Sequence, residues 1–232
     1  MRSQTEFGNE RFARLFLDVS SFAMPLKVLS FSIDPAPLPP AVQAMVDEAE
    51  AQIEAYQRDH CLPDFVACDF ALAYRALRAM TDAQLPSGKL FCEWGSGFGV
   101  VACLAAQLGF DAVGIEIEED LIQHAEKLAD RFGLNVRFVQ GSYLPRGCSL
   151  KARLGTGASW IRKEEWDIDA AAGFAPGDFD VIFAYPWPDD ADAIAELFEH
   201  VAAPGALFAS YHGGTDFRVR RKVGGKKRRT IR

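Results

Sequence analysis

No C-x-x-C pair occurs in this chain, and its five cysteines, Cys61, Cys68, Cys92, Cys103 and Cys148, are odd in number and scattered. That spacing argues against a zinc ribbon or a paired redox dithiol. It predicts reduced, mostly buried thiols and a cytoplasmic protein. The four histidines, His60, His124, His200 and His212, stand apart from one another, and no H-E-x-x-H, His/Cys cluster or P-loop is present, so no metal site is expected. The longest run without a charged residue, Trp94 to Phe110, is shorter than the roughly 20 residues that span a bilayer. Arg2, Glu6, Glu10, Arg11, Arg14 and Asp18 interrupt the first residues, so no secretory leader is expected. Acids are missing from one end of the chain. Phe217 to Arg232 holds nine basic residues and no Asp or Glu, which leaves 16 of the 25 basic side chains against all 32 acids elsewhere, a net of −16. An acidic body with a basic end permits contact with nucleic acid or another polyanion. The plainer expectation, which we prefer, is a solvated tail that rests on the protein's own acidic surface.

With 49% hydrophobic residues in 232, the chain can bury a full core as one domain with a small addition. The most informative stretch is Lys89-Leu90-Phe91-Cys92-Glu93-Trp94-Gly95-Ser96-Gly97-Phe98-Gly99. It reads as a short buried strand that ends in an acid and breaks into a glycine loop. An apolar helix follows at Val100–Ala106, then a second strand, Ala112-Val113-Gly114-Ile115-Glu116, that closes on another acid. This is a βαβ unit whose ligand-binding edge is marked by residue type. Glycines at alternate positions allow positive φ and remove the Cβ atoms that would hold a ligand off the backbone. Amides at the following helix start are then free to face polar ligand atoms. An acid at the second strand end suits the two hydroxyls of a ribose. The dinucleotide fingerprint G-x-G-x-x-G starting at Gly95 requires glycine or alanine at position 100, where Val100 stands. The chain instead has an acid followed by G-x-G-x-G.

That pattern, with Gly114-Ile115-Glu116-Ile117 downstream, resembles the first two motifs of class I S-adenosylmethionine-dependent methyltransferases. Val136–Ser142 looks like the third strand and adenine-side loop of that family. Phe179–Pro188 looks like its fourth strand and following motif. The resemblance runs from about Phe65 to Tyr211. It implies an α/β fold, a doubly wound and mostly parallel sheet of the Rossmann-like kind, and S-adenosylmethionine as cofactor with S-adenosylhomocysteine as product.

Outside these motifs the chain reads as follows. Residues 1–35 show no clean period, and Pro35, Pro37, Pro39 and Pro40 form a stiff connector. Val42, Met45, Val46, Ala49, Ile53 and Tyr56 recur at helical spacing over 41–60, and a second helix is expected from Cys68 to about Met80. Helices are also expected over 118–132 and 189–200, with strands at 136–140, 180–184 and 206–211. A weak pattern from Leu144 to Asp178 leaves room for a short helix near Lys163–Ala172. Only Asp216–Val223 remains for the edge that the family closes with a further helix and a hairpin, so a reduced C-terminal edge is expected. The division that follows is an N-terminal extension over 1–64 with a helical addition, a cofactor-binding domain over 65–216, and a basic tail over 217–232.

The resemblance assigns the cofactor to Glu93, Gly95, Ser96, Gly97, Gly99, Glu116, Ile117, Ser142, Tyr143 and Ala184. Glu93 would orient the methionine end and Glu116 the ribose. Ile117 would pack on the adenine, and Ser142 stands where the family often has an adenine-reading acid. Ala184-Tyr185-Pro186-Trp187 occupies the place of the Asn/Asp-Pro-Pro-aromatic motif of amino-group methyltransferases, with Ala184 in place of the carboxamide. That departure argues against nucleobase amino methylation. Tyr185 and Trp187 are candidates to line the transfer site, and His212 is the candidate base. Asp189 and Asp190 are expected to cap the next helix. Methyl transfer to a protein side chain or small molecule is the implied activity. The alternatives are a catalytically silent fold that binds nucleic acid or another partner through its basic tail and a nicotinamide-dependent oxidoreductase. No membrane partner is expected.

Overall fold

The computed structural model describes residues 26–60, 65–144 and 173–224. Its first element is a short strand, β1 (Leu26–Leu29). Helix α1 (Pro40–Asp59) starts with proline at its first position, where the missing N–H removes no hydrogen bond, and buries Val42, Met45, Val46, Ala49 and Ile53. Helix α2 (Phe70–Asp82) is capped by Asp69, whose Oδ1 accepts from Leu72 N at 2.8 Å. Strand β2 (Leu90–Trp94) leads into α3 (Val100–Gln107), β3 (Asp111–Glu116), α4 (Glu119–Arg131) and β4 (Val136–Gln140). Strand β5 (Val181–Ala184), a short 3-10 turn at Pro188–Asp190, α5 (Ala191–Val201), β6 (Leu207–Tyr211) and β7 (Phe217–Lys222) follow among the described residues.

Seven strands form one sheet in the order β1-β7-β6-β5-β2-β3-β4. Strands β2 to β6 pair in parallel, and β7 runs antiparallel to both β6 and β1. One face of the sheet packs on α1 to α4 around Met45, Leu77, Phe91, Leu104, Leu128 and Phe183. The opposite face packs on α5 around Trp94, Ile115, Ile182, Leu197, Phe198 and Phe208. Because both faces are covered, β2, β3, β5 and β6 are buried almost end to end, whereas the edge strand β4 alternates in burial. No helix among the described residues is long and apolar enough to cross a membrane.

Two expectations change at the sheet edge. The C-terminal edge is not reduced: β1, from near the start of the chain, lies beside β7 and supplies the seventh strand, with Leu26 opposite Lys222 and Leu29 opposite Val219. Nor does the tail begin at Phe217, since Phe217–Lys222 is an interior strand. Its bases cover apolar surface with their stems and bring their heads to acceptors. Arg221 Nη2 donates to Leu85 O at 2.7 Å, Arg220 lies 5.0 Å over the Phe208 ring, and Lys222 donates to Ala202 O at the end of α5. The expected helix near Lys163–Ala172 lies outside the described residues. Helix α1 is no separate appendage, because Met45 and Ile53 belong to the same core as Phe91 and Leu104.

Candidate functional site

The carboxyl ends of β2, β3, β5 and β6 meet along one edge, as in other open α/β sheets. At that edge the chain leaves β2 through Gly95, Gly97 and Gly99, with φ of 70°, 51° and 68°. All three are left-handed conformations that disfavour side chains. The loop is tied to β3: Gly95 N and Ser96 N both donate to Ile115 O at 2.9 Å, and Gly97 N donates to Glu116 Oε2 at 2.7 Å. Glu116 Oε1 accepts from Ile117 N at 2.7 Å and Glu118 N at 3.0 Å. Glu93 Oε2 accepts from Ala102 N at 2.8 Å, an amide of the first turn of α3 that would otherwise lack a partner.

Both carboxyls are buried, and burial raises both above the ordinary carboxylate range. The amide of Ala102 pulls Glu93 back down, and the neighbouring charge of Glu116 pushes it up again. The amides of Glu118, Gly97 and Ile117 counteract burial at Glu116. Two acids are thus held 5% and 8% exposed at adjacent strand ends by the same loop that would receive a ligand.

The three glycines have different surroundings. A Cβ on Gly95 would meet only Tyr143 Cε1, at 4.0 Å, so that face is open. A Cβ on Gly97 would lie 2.6 Å from Cε2 of Phe65. On Gly99 it would collide with the Phe138 ring and stand 2.7 Å from Ala125 Cβ, so close packing of the loop on α4 and β4 accounts for that glycine without a ligand. Beside the loop is a cleft lined by Phe65, Cys68, Phe70, Glu93, Ser96 and Tyr185, among others. The Ser96 hydroxyl is buried behind the loop, against Gly114 of β3, and has no hydrogen-bond partner. Burial holds the Cys68 thiol well above its usual pKa.

Among the expected site residues, Glu93, Gly95, Ser96 and Tyr185 meet in this cleft, with Gly97 beneath Phe65. Ile117 and Glu116 follow along the same edge. Ser142 is buried and its Oγ accepts from Leu144 N at 3.2 Å, which stabilises a local turn. Tyr143 stacks on Trp94 with ring centroids 5.1 Å apart and 2° between planes, below the loop. Burial raises its phenol, and Asp190 and Glu116 raise it further. Ala184 ends β5 opposite Trp94 and is buried. Trp187 is 40% exposed and lies outside the cleft. His212 is also outside it, with Nε2 2.9 Å from Ser210 Oγ. Its pKa is lowered, first by burial and then by Arg218. Asp190 holds the cap position of α5 without a side-chain bond to the helix amides, contrary to the capping expectation. Sequence reasoning did not assign Phe65, Cys68 or Phe98 to the site: Phe65 stands ahead of the expected second helix with no periodicity to mark it, Cys68 at that helix's expected start, and Phe98 between two glycines of the loop motif.

A central parallel sheet with β7 inserted antiparallel, an acid-G-x-G-x-G loop after β2 and an acid closing β3 together define the class I, Rossmann-like methyltransferase fold. No family model matches the chain. Over 130 residues it is 28% identical to the ribosomal protein L11 methyltransferase of Thermus thermophilus, a match covering 56% of this chain and 40% of that protein. The chain therefore spans less than half the length of that curated relative. Among solved structures it is similar to an RNA methyltransferase from Salinibacter ruber in complex with S-adenosyl-L-homocysteine (18% identity, 71% of this chain and 97% of that one, TM-score 0.47). It is also similar to an O-methyltransferase from Bacillus cereus in complex with the same molecule (17% identity, 76% and 67%, TM-score 0.45).

Proposed function

We propose that this chain binds S-adenosylmethionine at the Glu93–Gly99 loop and transfers its methyl group to a nucleophile that enters beside Tyr185. One observation carries this reading: a glycine loop with an open face at Gly95 is fastened between two buried strand-end carboxyls. These groups fit the cofactor. Glu93 and the open face at Gly95 suit its amino-acid end, and Glu116 suits the ribose hydroxyls, with Ile117 beside the adenine. When bound, the cofactor supplies a methyl carbon activated by the adjoining sulfonium. The chain's own residues hold that end of the cofactor, and the rings of Phe70, Phe98, Phe183 and Tyr185 keep water from it. Tyr185, its ring 4.7 Å from that of Tyr211, stands at the acceptor side.

A protein side chain or a small molecule is the acceptor class we favour. Ala184 offers no carboxamide to a nucleobase amine, and the curated relative is named for a ribosomal protein. A nicotinamide cofactor is disfavoured because Val100 stands where its fingerprint has the third glycine, and its side chain is buried in the core. Calorimetric titration with S-adenosylhomocysteine, with NADH as control, tests the proposal. We expect micromolar or tighter binding of the first alone. Binding of NADH, or of neither compound, would remove the reading.

A further inference from the structure

The space above Gly97 is filled by the protein itself. Residues 65–69 cross the glycine loop just before α2, and Cε2 of Phe65 lies where a Cβ on Gly97 would be 2.6 Å away. The cleft that remains beside Phe65 holds about 40 Å³, room for a few waters. The rest of the segment follows the same course, since Val66, Ala67 and Cys68 also line the cleft.

A run of rings fixes Phe65 in place. Its ring is 5.2 Å from that of Phe98, which belongs to the glycine loop. Phe98 in turn lies 5.6 Å from Tyr56 near the end of α1 and 5.3 Å from His124 on α4. Tyr56 and His124 close the triangle at 5.1 Å. Edge-to-face contacts of this kind each contribute about 0.5–1.5 kcal/mol beyond the area they bury. The segment is nevertheless lightly anchored: Phe65 is half-buried, and Val66 is 51% exposed.

We propose that Phe65 is a plug: seated on Gly97 it closes the cofactor cleft, and cofactor enters only when the 65–69 segment lifts. This proposal rests on the cofactor reading above for its ligand, but not for the closure itself. A closed form lowers apparent affinity in proportion to the open fraction, so an open fraction of about one in ten predicts about tenfold tighter binding once the plug is removed.

The test compares wild type with Phe65→Ala by stopped-flow Trp fluorescence, with S-adenosylhomocysteine as ligand and Trp94 beneath the loop as reporter. The expected result is an association rate and affinity both raised about tenfold in the variant. Phe65→Leu, which keeps apolar volume, should fall between the two and guards against misfolding of the alanine form. An unchanged association rate with faster dissociation would overturn the plug and make Phe65 a wall of the site. A ligand-free measurement separates the two ideas. The rate at which Cys68 is alkylated, followed on its peptide by mass spectrometry, should rise in Phe65→Ala whether or not any ligand binds. Unchanged alkylation would overturn the closure. Raised alkylation with no binding in either protein would uphold it while removing the cofactor reading.

Discussion

Glu93 does two things that oppose each other. Its Oε2 satisfies Ala102 N at the start of α3, and its ionised form is disfavoured by burial. A carboxyl whose pKa is raised on folding binds its proton more tightly in the folded than in the unfolded state. The stability this gives is full below the unfolded pKa and is lost as pH rises from there through the folded value. Glutamine keeps an acceptor for Ala102 N and cannot ionise. Glu93→Gln should therefore melt above wild type at pH 8, by about 2–4 °C for each kcal/mol relieved, with the gap narrowing toward pH 5. Its affinity for S-adenosylhomocysteine should fall, the usual exchange between stability and a functional charge. Melting curves across that pH range, with calorimetry at pH 8, check both halves; a gap independent of pH would show that ionisation of Glu93 is not the cause. Glu116 presents a different balance, since three backbone amides hold its carboxylate. Glu116→Ala leaves Gly97 N, Ile117 N and Glu118 N without their acceptor. It should lower the melting temperature and weaken ligand binding by tenfold or more, consistent with charge-assisted bonds of about 1.5–3 kcal/mol. An unchanged dissociation constant would remove the ribose role.

The glycines extend the same logic. Gly95→Ala meets open space and carries only the left-handed backbone penalty of about 1–2 kcal/mol, so it should fold and lose ligand. Gly99→Ala carries that penalty and also forces a methyl into Phe138 and Ala125, an overpacking of about 1–3 kcal/mol. The second variant should melt clearly lower than the first. Equal melting temperatures would show that the loop tolerates a side chain against α4.

Among the larger elements, those with a clear local signal were legible in the sequence. The 3.6-residue spacing of Leu121, Ile122, Ala125, Leu128 and Ala129 marks α4, and Val136–Gln140 was located end to end. The glycine loop and its two acids were legible because the local chemistry demands those residue types. Strand β1 was not, because four residues show no period and its pairing with β7 depends on distant sequence. Strand β7 was hidden by its charges, since Phe217-Arg218-Val219-Arg220-Arg221-Lys222 looks like a soluble tail until the stems find apolar partners. Phe65 was hidden for the same reason as β1: its contact with Gly97 exists only once α1, α3 and α4 are packed. The pairing of β1 can be tested directly. Deletion of residues 1–25 and of residues 1–30 should differ in melting temperature, since only the longer deletion removes Leu26 and Leu29 from the two cores and bares the β7 edge. The longer deletion should also aggregate, as exposed strand edges do. Identical behaviour of the two would mean that β1 contributes nothing to the sheet.

The strand order divides the basic C-terminal region into two parts with different physics. Up to Lys222 it is sheet interior: Phe217 lies opposite Tyr211, Arg221 opposite Leu207, and Lys222 opposite Leu26. A chain that stops before Phe217 loses the antiparallel neighbour of β6 and, among the described residues, the one strand that β1 pairs with, so it should not fold cooperatively. A chain that stops after Gly224 keeps all seven described strands and loses Lys226, Lys227, Arg228, Arg229 and Arg232, which takes the net charge from −7 to −12. Its cleft is untouched, because the lining residues lie within 65–70, 93–100 and 183–185. The shorter truncation should thus retain the affinity of the full chain for S-adenosylhomocysteine and show a single cooperative melt. The longer one should show neither. Loss of affinity on removing 225–232 alone would show that those bases act on the site, and a cooperative melt without 217–232 would show that β7 is dispensable to the sheet.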